Sequence, residues 1–386
     1  MPEYSVLSVP KAEAPATLDF AVESVGQPAT PKLDRQTLTP FEAVVIEQQE
    51  EVQVVARRMP IRLIEPRDVA PGTAGDTAWG LDAIGALQSK FTGAGAVVAI
   101  LDTGIKAGHP AFSGIEIVQE DFTGEGNGDW HGHGTHCAGT ILGRDVDGTR
   151  IGVAPGVTKL LVGKVIGEKS ADSTMLFDAI DWAVRAGADV ISMSLGIDFP
   201  GYVSRRILID KMPTEAAVSD ALEAYRNNLR MLDAIMGMIH VGGNYGRDAV
   251  VVAAAGNESM RPRYKIAASI PGAALDVVAV AAMQPDPAGG YGVTSFSNSL
   301  PQLAAPGLEI LSADAKTDKL IKMSGTSMAC PHVAGVAALL WEALTKEGLE
   351  PTGANIKARL LATAKRDKIV AGTTGTDIGQ GMVAAP

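Results

Sequence analysis

The chain has 386 residues and a formal net charge of −11, and 46% of its residues are hydrophobic. This composition is typical of a folded globular protein. Its acidic balance argues against nucleic acid as a partner, because like charges repel phosphate backbones. No apolar run reaches the length of a membrane span, which argues against a membrane partner.

Length and cysteine content predict how the chain is divided and where it works. Single hydrophobic cores rarely grow beyond about 300 residues, so we predict an N-terminal extension, residues 1–75, and one larger domain, residues 76–386. The N-terminus lacks the basic start and apolar stretch of a secretory signal. Cys137 and Cys330 are the only cysteines, which excludes a disulfide framework. Both features predict a cytoplasmic protein.

The N-terminal extension carries weak structural signals. Residues 8–41 are rich in Pro, Ala and Thr without a sustained period, which predicts an extended or poorly ordered stretch. Residues 42–64 show β-branched alternation and predict one or two strands. Residues 65–80 are rich in Pro and Gly and indicate a linker.

From Trp79 onward, apolar runs alternate with helical patterns, which predicts an α/β fold. Nearly continuous apolar strands imply burial on both faces, and therefore a mainly parallel sheet covered by helices. In such sheets the active site lies beyond the carboxyl ends of the strands. The predicted strands are residues 96–104, 159–166, 188–196, 249–256 and 276–283. The predicted helices are residues 134–142, 173–186, 214–240, 327–346 and 353–364.

Four segments carry residues suited to nucleophilic catalysis. Asp102 ends a strand in LDTG, His133 lies in HGHGTHCAGT, Ser327 lies in SGTSMACPHVAG, and Asn257 closes VVVAAAGN. A serine hydroxyl needs a base to take its proton, histidine titrates near neutrality, and a carboxylate orients the imidazole. The Asn257 amide and the Ser327 backbone N–H are suited to stabilising the oxyanion.

Taken singly, each segment also has an ordinary structural explanation. An Asp after a strand is usually a turn residue, GTS is usually a helix N-cap, and AAAGN alone is compatible with a plain strand end. Together, with their order preserved, the four are far more specific, because chance matches multiply.

The order Asp, His, Ser and the four motifs resemble the subtilase family of serine proteases over residues 79–386. SMSLG (192–196) and the C-terminal GQGMVAAP also resemble family segments. The resemblance implies a three-layer subtilisin-like fold and a serine endopeptidase that acts on protein or peptide substrates. It aligns His133, rather than His131 or His136, with the catalytic histidine, and it leaves His332 a structural role. The alternative is a catalytically silent subtilase-like binding protein.

The resemblance also implies where a substrate strand binds. Such a strand would pair with the SLG segment, and its side chain before the scissile bond would enter a pocket beside the AAAGN strand. The implied walls of this pocket are Ser194, Leu195, Gly196, Ala254, Ala255 and Gly256. Glu258 is expected at the rim, where it would tolerate a basic side chain. Small residues that serve only tight sheet–helix packing are the alternative.

The segment between SLG and AAAGN, about residues 198–246, is long for the family and is interpreted as an insertion. A helical stripe within it is expected to be mostly core. Its members are Val218, Leu222, Tyr225, Leu229, Leu232, Met236 and Ile239. Residues 198–213 are predicted to be irregular and to lie beside the cleft. They would either shape substrate entry or form a passive surface insertion.

Calcium and the N-terminal extension remain open at the level of sequence. No cofactor is predicted to be required and no metal ligand is assigned. Ala111 replaces a usual calcium carboxylate, and Asp145 and Asp147 are alternative calcium ligands that more often form plain turns. MPIRLIEP resembles the short blocking extension of intracellular subtilisins. Residues 42–66 either dock on the catalytic domain as a zymogen segment or merely add an edge strand. No oligomeric state is predicted.

Overall fold

The computed structural model describes residues 1–9, 31–72, 77–240 and 248–386. Residues 10–30, which form much of the stretch predicted to be extended or poorly ordered, lie outside these ranges. So do residues 73–76 of the predicted linker and residues 241–247 at the end of the insertion.

The N-terminal extension contains a small folded unit. An antiparallel sheet of order β2-β1-β3 is accompanied by one helix. The elements of this N-terminal unit are β1 (Glu3–Ser8), β2 (Lys32–Thr37), α1 (Pro40–Glu47) and β3 (Val52–Arg57). Residues 42–64 therefore contain two short strands, as predicted, but they also contain most of α1, which was not predicted. Helix α1 begins with a capping box in which Thr39 and Glu42 bond each other's backbone N–H, and Pro40 occupies the first turn.

Two short strands, β4 (Ile61–Leu63) and β5 (Val69–Pro71), follow the N-terminal unit. Strand β4 pairs antiparallel with a strand that contains Leu195, and β5 pairs antiparallel with one that contains Lys322. The described part of residues 65–80 is therefore not a free linker, because both flanking strands are hydrogen-bonded to the larger domain. We call residues 60–72 the cleft segment.

The larger domain is built on an eight-stranded, mainly parallel sheet. Its order is β13-β12-β11-β9-β6-β8-β7, with β14 also beside β12, and only β13 runs antiparallel. The strands of the larger domain are β6 (Val97–Asp102), β7 (Glu116–Asp121), β8 (Lys159–Lys164), β9 (Val190–Met193), β10 (Leu195–Ile197), β11 (Val250–Ala254), β12 (Val277–Pro285), β13 (Tyr291–Val293), β14 (Leu303–Pro306), β15 (Ile310–Ala313) and β16 (Leu320–Met323). Residues 188–196, predicted as one strand, form β9 in the sheet and the start of β10, which leaves the sheet to pair with β4.

Helices cover both faces of this sheet. They are α2 (Trp79–Ala83), α3 (His133–Leu142), α4 (Ser173–Arg185), α5 (Phe199–Leu208), α6 (Thr214–His240), α7 (Thr326–Lys346), α8 (Gly353–Ala362) and α9 (Gly375–Ile378). In β6, Val98 and Ile100 pack with α3, α7 and α8, whereas Ala99 and Leu101 pack with α4 and α6. Alternate side chains thus enter two cores, which confirms the three-layer α/β fold.

Contrary to the expectation from the sequence, helix α7 is long and apolar enough to cross a membrane by length and composition alone. Nearly nine tenths of its apolar window is buried inside the protein, packed against the central sheet and α3. It is therefore a core helix of the fold.

The predicted insertion is helical from its start. The prediction that residues 198–213 are irregular was wrong, because α5 begins where the Asp198 side chain accepts a hydrogen bond from the Gly201 backbone. In α6 the buried face is rotated from the predicted stripe. Leu232, Met236 and Ile239 are buried, but Leu222 is exposed. Alanines and Asn228 occupy the buried face of the first half of α6 instead. The small alanine side chains let β3 of the N-terminal unit approach the helix closely.

Candidate active site

Asp102 and His133 meet at the carboxyl edge of the sheet. Asp102 is the last residue of β6, and His133 is the first residue of α3. The Nδ1–H of His133 donates to Asp102 Oδ1 at 2.8 Å. Gly134 makes this approach possible, because a Cβ at that position would lie 2.2 Å from the Gly104 carbonyl oxygen. Burial is the largest single influence and disfavours the imidazolium. The charge and hydrogen bond of Asp102, together with Cys137, outweigh it and raise the pKa of His133 well above its ordinary value.

Ser327 and Asn257 are positioned by neighbouring elements. Ser327 is the second residue of α7, and Asn257 follows β11 after Gly256, which has a φ of 112°. Asn257 Oδ1 accepts hydrogen bonds from the backbone N–H and hydroxyl of Thr326, at 2.8 and 3.0 Å. The Asn257 side-chain NH₂ is therefore turned toward the cleft, beside the start of α7.

The hydroxyl of Ser327 and the imidazole of His133 are not hydrogen-bonded to each other. Ser327 Oγ instead donates to the backbone oxygen of Ile64 at 2.9 Å. His133 Nε2 is buried and has no hydrogen-bond partner among the described residues. A buried polar atom without a hydrogen-bond partner is rare and costs free energy. The blocked state therefore leaves His133 Nε2 without the hydrogen bond that a catalytic base normally makes to the serine hydroxyl.

The cleft segment occupies the predicted substrate site. Leu195 and Gly196 pair antiparallel with Leu63 and Arg62, and the backbone N–H of Ile64 approaches the carbonyl oxygen of Ser194 at 3.5 Å. A Cβ placed on Gly196 would lie 4.0 Å from Ile64 Cδ1, so the Ile64 side chain lies beside this wall.

The second predicted wall is also at this site. Ala254 and Ala255 are buried at the end of β11, immediately before Gly256 and Asn257. Ala254 belongs to the same apolar cluster as Ile64. The structure thus gathers the candidate substrate-binding residues around one strand of the chain itself.

The other histidines near the site have different surroundings. His136 is buried with Nε2 2.9 Å from the Ile310 carbonyl oxygen, and burial lowers its pKa to about 3. His332 Nδ1–H donates to the Met328 carbonyl, and burial lowers its pKa to about 4. His131 is less buried, with Nε2 3.5 Å from a Glu65 carboxylate oxygen. None of these three is hydrogen-bonded to the Asp102 carboxylate.

Both cysteines are free thiols buried behind the site. Cys137 Sγ donates to the Ser327 carbonyl at 3.4 Å and lies 3.8 Å from His133 Nδ1. Cys330 Sγ lies near the Met193 carbonyl and the Ser192 hydroxyl. Burial raises the pKa of both thiols, that of Cys330 to about 12, so they remain protonated and poorly nucleophilic.

The candidate calcium ligands lie in a turn, outside any group of three or more His, Cys or acidic side chains among the described residues. Asp147 lies in a tight turn with a φ of 50°, bounded by the bridge between Val146 and Thr149. Within the described ranges, the single cluster of His, Cys and acidic side chains close enough to share an ion is Asp102, His133 and Cys137, which does not include Asp145 or Asp147.

Two arginines in contact with the site were not singled out from the sequence. Arg67 donates from its guanidinium to the Asn257 carbonyl oxygen. Arg62 lies between Glu258 and Asp198, with Nη2–Oε1 and Nη1–Oδ1 distances of 3.0 and 3.4 Å. The carboxylate of Glu258 thus faces Arg62, two residues before Ile64. The signal for Arg62 was its exposed position between apolar residues in IRLI.

The sequence of the chain is similar to those of known proteases. A sequence model described as the subtilase family matches residues 93–382. The chain is 34% identical over 310 residues to an alkaline proteinase from Hapsidospora chrysogena, covering 75% of this chain and 64% of the relative. It is 33% identical over 252 residues to the major intracellular serine protease of Bacillus subtilis (strain 168), covering 63% and 67%. It is 34% identical over 302 residues to thermitase from Thermoactinomyces vulgaris, covering 76% and 88%.

The match with the first of these relatives spans less than two thirds of that relative's length. The family match itself includes β6, α3, β11 and α7, the elements that carry the four candidate catalytic residues. Fold and residue order agree with this match, and the chain belongs to the subtilase family.

Proposed function

We propose that this protein is a serine endopeptidase whose own cleft segment, residues 60–72, blocks the active site until it is displaced or cleaved. The observation that carries the proposal is the hydrogen bond from Ser327 Oγ to the Ile64 carbonyl oxygen, at 2.9 Å. The substrates are proteins or peptides that bind as an extended strand along β10, as β4 does here.

In the open enzyme the four residues take the following roles. Ser327 Oγ attacks the scissile carbonyl carbon while His133 Nε2 takes its proton, and Asp102 stabilises the imidazolium that forms. The Asn257 side-chain N–H and the Ser327 backbone N–H stabilise the oxyanion. His133 then protonates the leaving amine, which leaves an acyl-enzyme ester that water hydrolyses by the same steps.

The bound cleft segment is poorly placed for this chemistry. Attack requires one carbonyl to face both the nucleophile and the oxyanion donors. Here Ser327 Oγ donates to the Ile64 carbonyl, while Asn257 Nδ2 donates to the next carbonyl, that of Glu65, at 2.9 Å. The bond after the Glu65 carbonyl leads to Pro66, and a peptide bond to proline resists cleavage. The nucleophile Ser327 and the oxyanion donor Asn257 therefore contact the carbonyls of two consecutive residues instead of one.

The N-terminal unit supports blocking because it anchors the cleft segment from one side. The Asn228 side chain of α6 donates to the Arg57 carbonyl at 2.8 Å. Arg57 Nη1 also pairs with Asp220 at 3.0 Å, and Arg35 pairs with Asp178 of α4 at 2.5 Å. On the other side, β5 is paired with β16. Tethering at both ends raises the effective concentration of the segment at the cleft.

The alternative, a catalytically silent binding protein, lacks a specific observation in its favour, since Asp102, His133, Ser327 and Asn257 are all present and gathered at one site. A fluorophosphonate probe separates the two. We expect the probe to label Ser327 in the opened enzyme and to leave Ser327→Ala unlabelled. The blocked enzyme should label slowly, because the hydroxyl is occupied.

The test is a time course on fresh full-length protein with a small chromogenic peptide. We expect a low initial rate that rises as mass spectrometry shows cleavage within the first 75 or so residues. Ser327→Ala, incubated alone, should stay intact and inactive. A full rate at time zero from a chain verified as intact would contradict blocking, and activity retained by Ser327→Ala would contradict the catalytic assignment.

We also propose a cytoplasmic location and catalysis without a cofactor. The Bacillus subtilis relative is named as an intracellular protease, and two buried thiols suit a reducing compartment. The catalytic roles are supplied by side chains and backbone of this chain, so activity should survive dialysis against a chelator. Cell fractionation tests the location.

A further inference from the structure

The way in which Arg62 is held identifies a subsite in the cleft. In β4, Ile61 and Leu63 are buried and Arg62 points outward, so the strand alternates as a bound substrate would. The guanidinium of Arg62 uses different nitrogens for the two carboxylates that flank it, those of Asp198 and Glu258. Counting back from Ile64, whose carbonyl faces Ser327, this side chain is two residues earlier.

Both carboxylates are held by the catalytic domain rather than by the cleft segment. Glu258 Oε2 accepts from Asn298 Nδ2 at 2.7 Å, and the Glu258 backbone N–H donates to Asn298 Oδ1. Asn298 is itself buried and donates to the Ala255 carbonyl. Asp198 Oδ1 accepts from the Gly201 backbone at the start of α5. The pair therefore remains in position after the cleft segment leaves.

We propose that Asp198 and Glu258 form a subsite that selects substrates with arginine two residues before the residue whose carbonyl Ser327 attacks. This rests on the endopeptidase function proposed above. Asp198 comes from the insertion, and Glu258 comes directly after Asn257. The two carboxylates therefore lie on either side of the Arg62 side chain. Arginine is favoured over lysine, because a planar guanidinium engages two separate carboxylates at once, whereas an ammonium offers one nitrogen.

The size of the effect follows from the exposure of the three side chains. All three are partly exposed, so each ion pair is screened and contributes modestly. Two such pairs correspond to a preference of about three- to tenfold for arginine over a neutral side chain of the same shape. The preference should weaken as salt is added, because exposed pairs are screened.

The experiment uses the full chain and competing peptides. Ile-Arg-Leu-Ile-p-nitroanilide copies residues 61–64, and its matched partner carries citrulline, which is neutral and nearly isosteric, in place of arginine. The ratio of kcat/KM for two competing substrates does not depend on how much enzyme is unblocked. We expect a ratio of about three to ten for wild type, falling toward one in Glu258→Gln and Asp198→Asn.

Glu347→Gln is the matched control variant. Glu347→Gln removes a carboxylate at the far end of α7, some 30 Å along the helix from Ser327, and should keep the wild-type ratio. Hydrolysis of both peptides at equal rates by wild type would overturn the subsite and leave the endopeptidase function standing. A ratio unchanged in both Glu258→Gln and Asp198→Asn would also overturn it.

A second measurement keeps the test decisive if neither peptide is hydrolysed, which would count against the endopeptidase function itself. In the Ser327→Ala protein, added trypsin can cut after Arg62 only when that residue leaves the carboxylates. Glu258→Gln in that background should speed this cut about threefold or more, whereas Glu347→Gln should not. Equal rates would overturn the acidic subsite independently of activity.

Discussion

Leu63→Ala should open the active site by weakening the hold of the cleft segment. The Leu63 side chain is only 6% exposed and packs with Leu195 and its neighbours in the core. The change removes three carbons, at about 0.8 kcal/mol per buried methylene, so docking loses about 2.4 kcal/mol. That is about a 50-fold shift toward the undocked state. This figure includes the free energy of transferring the removed carbons to water and no cavity term, because water can enter the groove once the segment has left it.

The assay is the initial rate on a small chromogenic peptide, measured on fresh full-length protein before any cleavage. We expect the rate of Leu63→Ala to exceed wild type, by up to the 50-fold shift while most molecules remain docked. Fluorophosphonate labelling should accelerate in parallel, since it requires the same free Ser327 hydroxyl. The gain should appear as a lower apparent KM for the peptide with kcat unchanged, because the docked segment and the peptide compete for the same cleft.

Val45→Ala is the matched control. It also shortens an aliphatic side chain of the N-terminal extension, but Val45 is 46% exposed on α1. Its initial rate should equal wild type. If Leu63→Ala, shown to be folded and intact, had the initial rate and labelling rate of Val45→Ala, the cleft segment would not be restraining the enzyme.

Three further predictions follow from the site. Asn257→Ala should lower kcat by about 10²–10³ with little change in KM, a size borrowed from the loss of one oxyanion donor in subtilisin, and a pure KM effect would count against the role. Cys137 and Cys330 should both be free thiols in a non-reducing mass measurement, because each is buried and bonded to backbone or hydroxyl groups, so a disulfide between them would contradict the structure. Burial lowers the pKa of His332 from 6.5 to about 4. Between these pH values the imidazole is protonated in the unfolded chain but not in the folded one. The free energy of unfolding should therefore fall by about 3 kcal/mol as the pH falls from 6.5 to 4. Urea unfolding in the Ser327→Ala background, where self-digestion is absent, should show this fall reduced in His332→Gln, and an unchanged pH dependence would argue against a buried neutral imidazole.

The sequence alone predicted those features that depend on local pattern and motif order. The apolar runs predicted strands now seen as β6, β8, β11 and β12, and the three-residue and four-residue spacing predicted α6. These predictions succeeded because burial on both faces of a parallel sheet leaves continuous apolar strands. The motif order alone identified the residues that the fold brings together at the carboxyl edge of the sheet.

Two local signals were present in the sequence but were outweighed. Thr39-Pro40-Phe41-Glu42 is a capping box with proline in the first turn, which indicates the start of α1. The β-branched residues that follow it favoured a strand. Asp198, followed two residues later by proline, is a similar start signal for α5. In both cases the residues at the helix N-terminus indicated the helix better than the residues within it did.

Only the tertiary structure decided where the cleft segment lies and what it contacts. Nothing in IRLIE specifies whether the strand pairs with β10 or with another edge, because any open edge offers the same backbone groups. The pairing places Ile64 at Ser327, residues that are 263 positions apart in sequence, and Arg62 at Glu258, 196 apart. Such contacts depend on how separate elements pack, which is why the sequence identified the catalytic residues while only the fold revealed what occupies them.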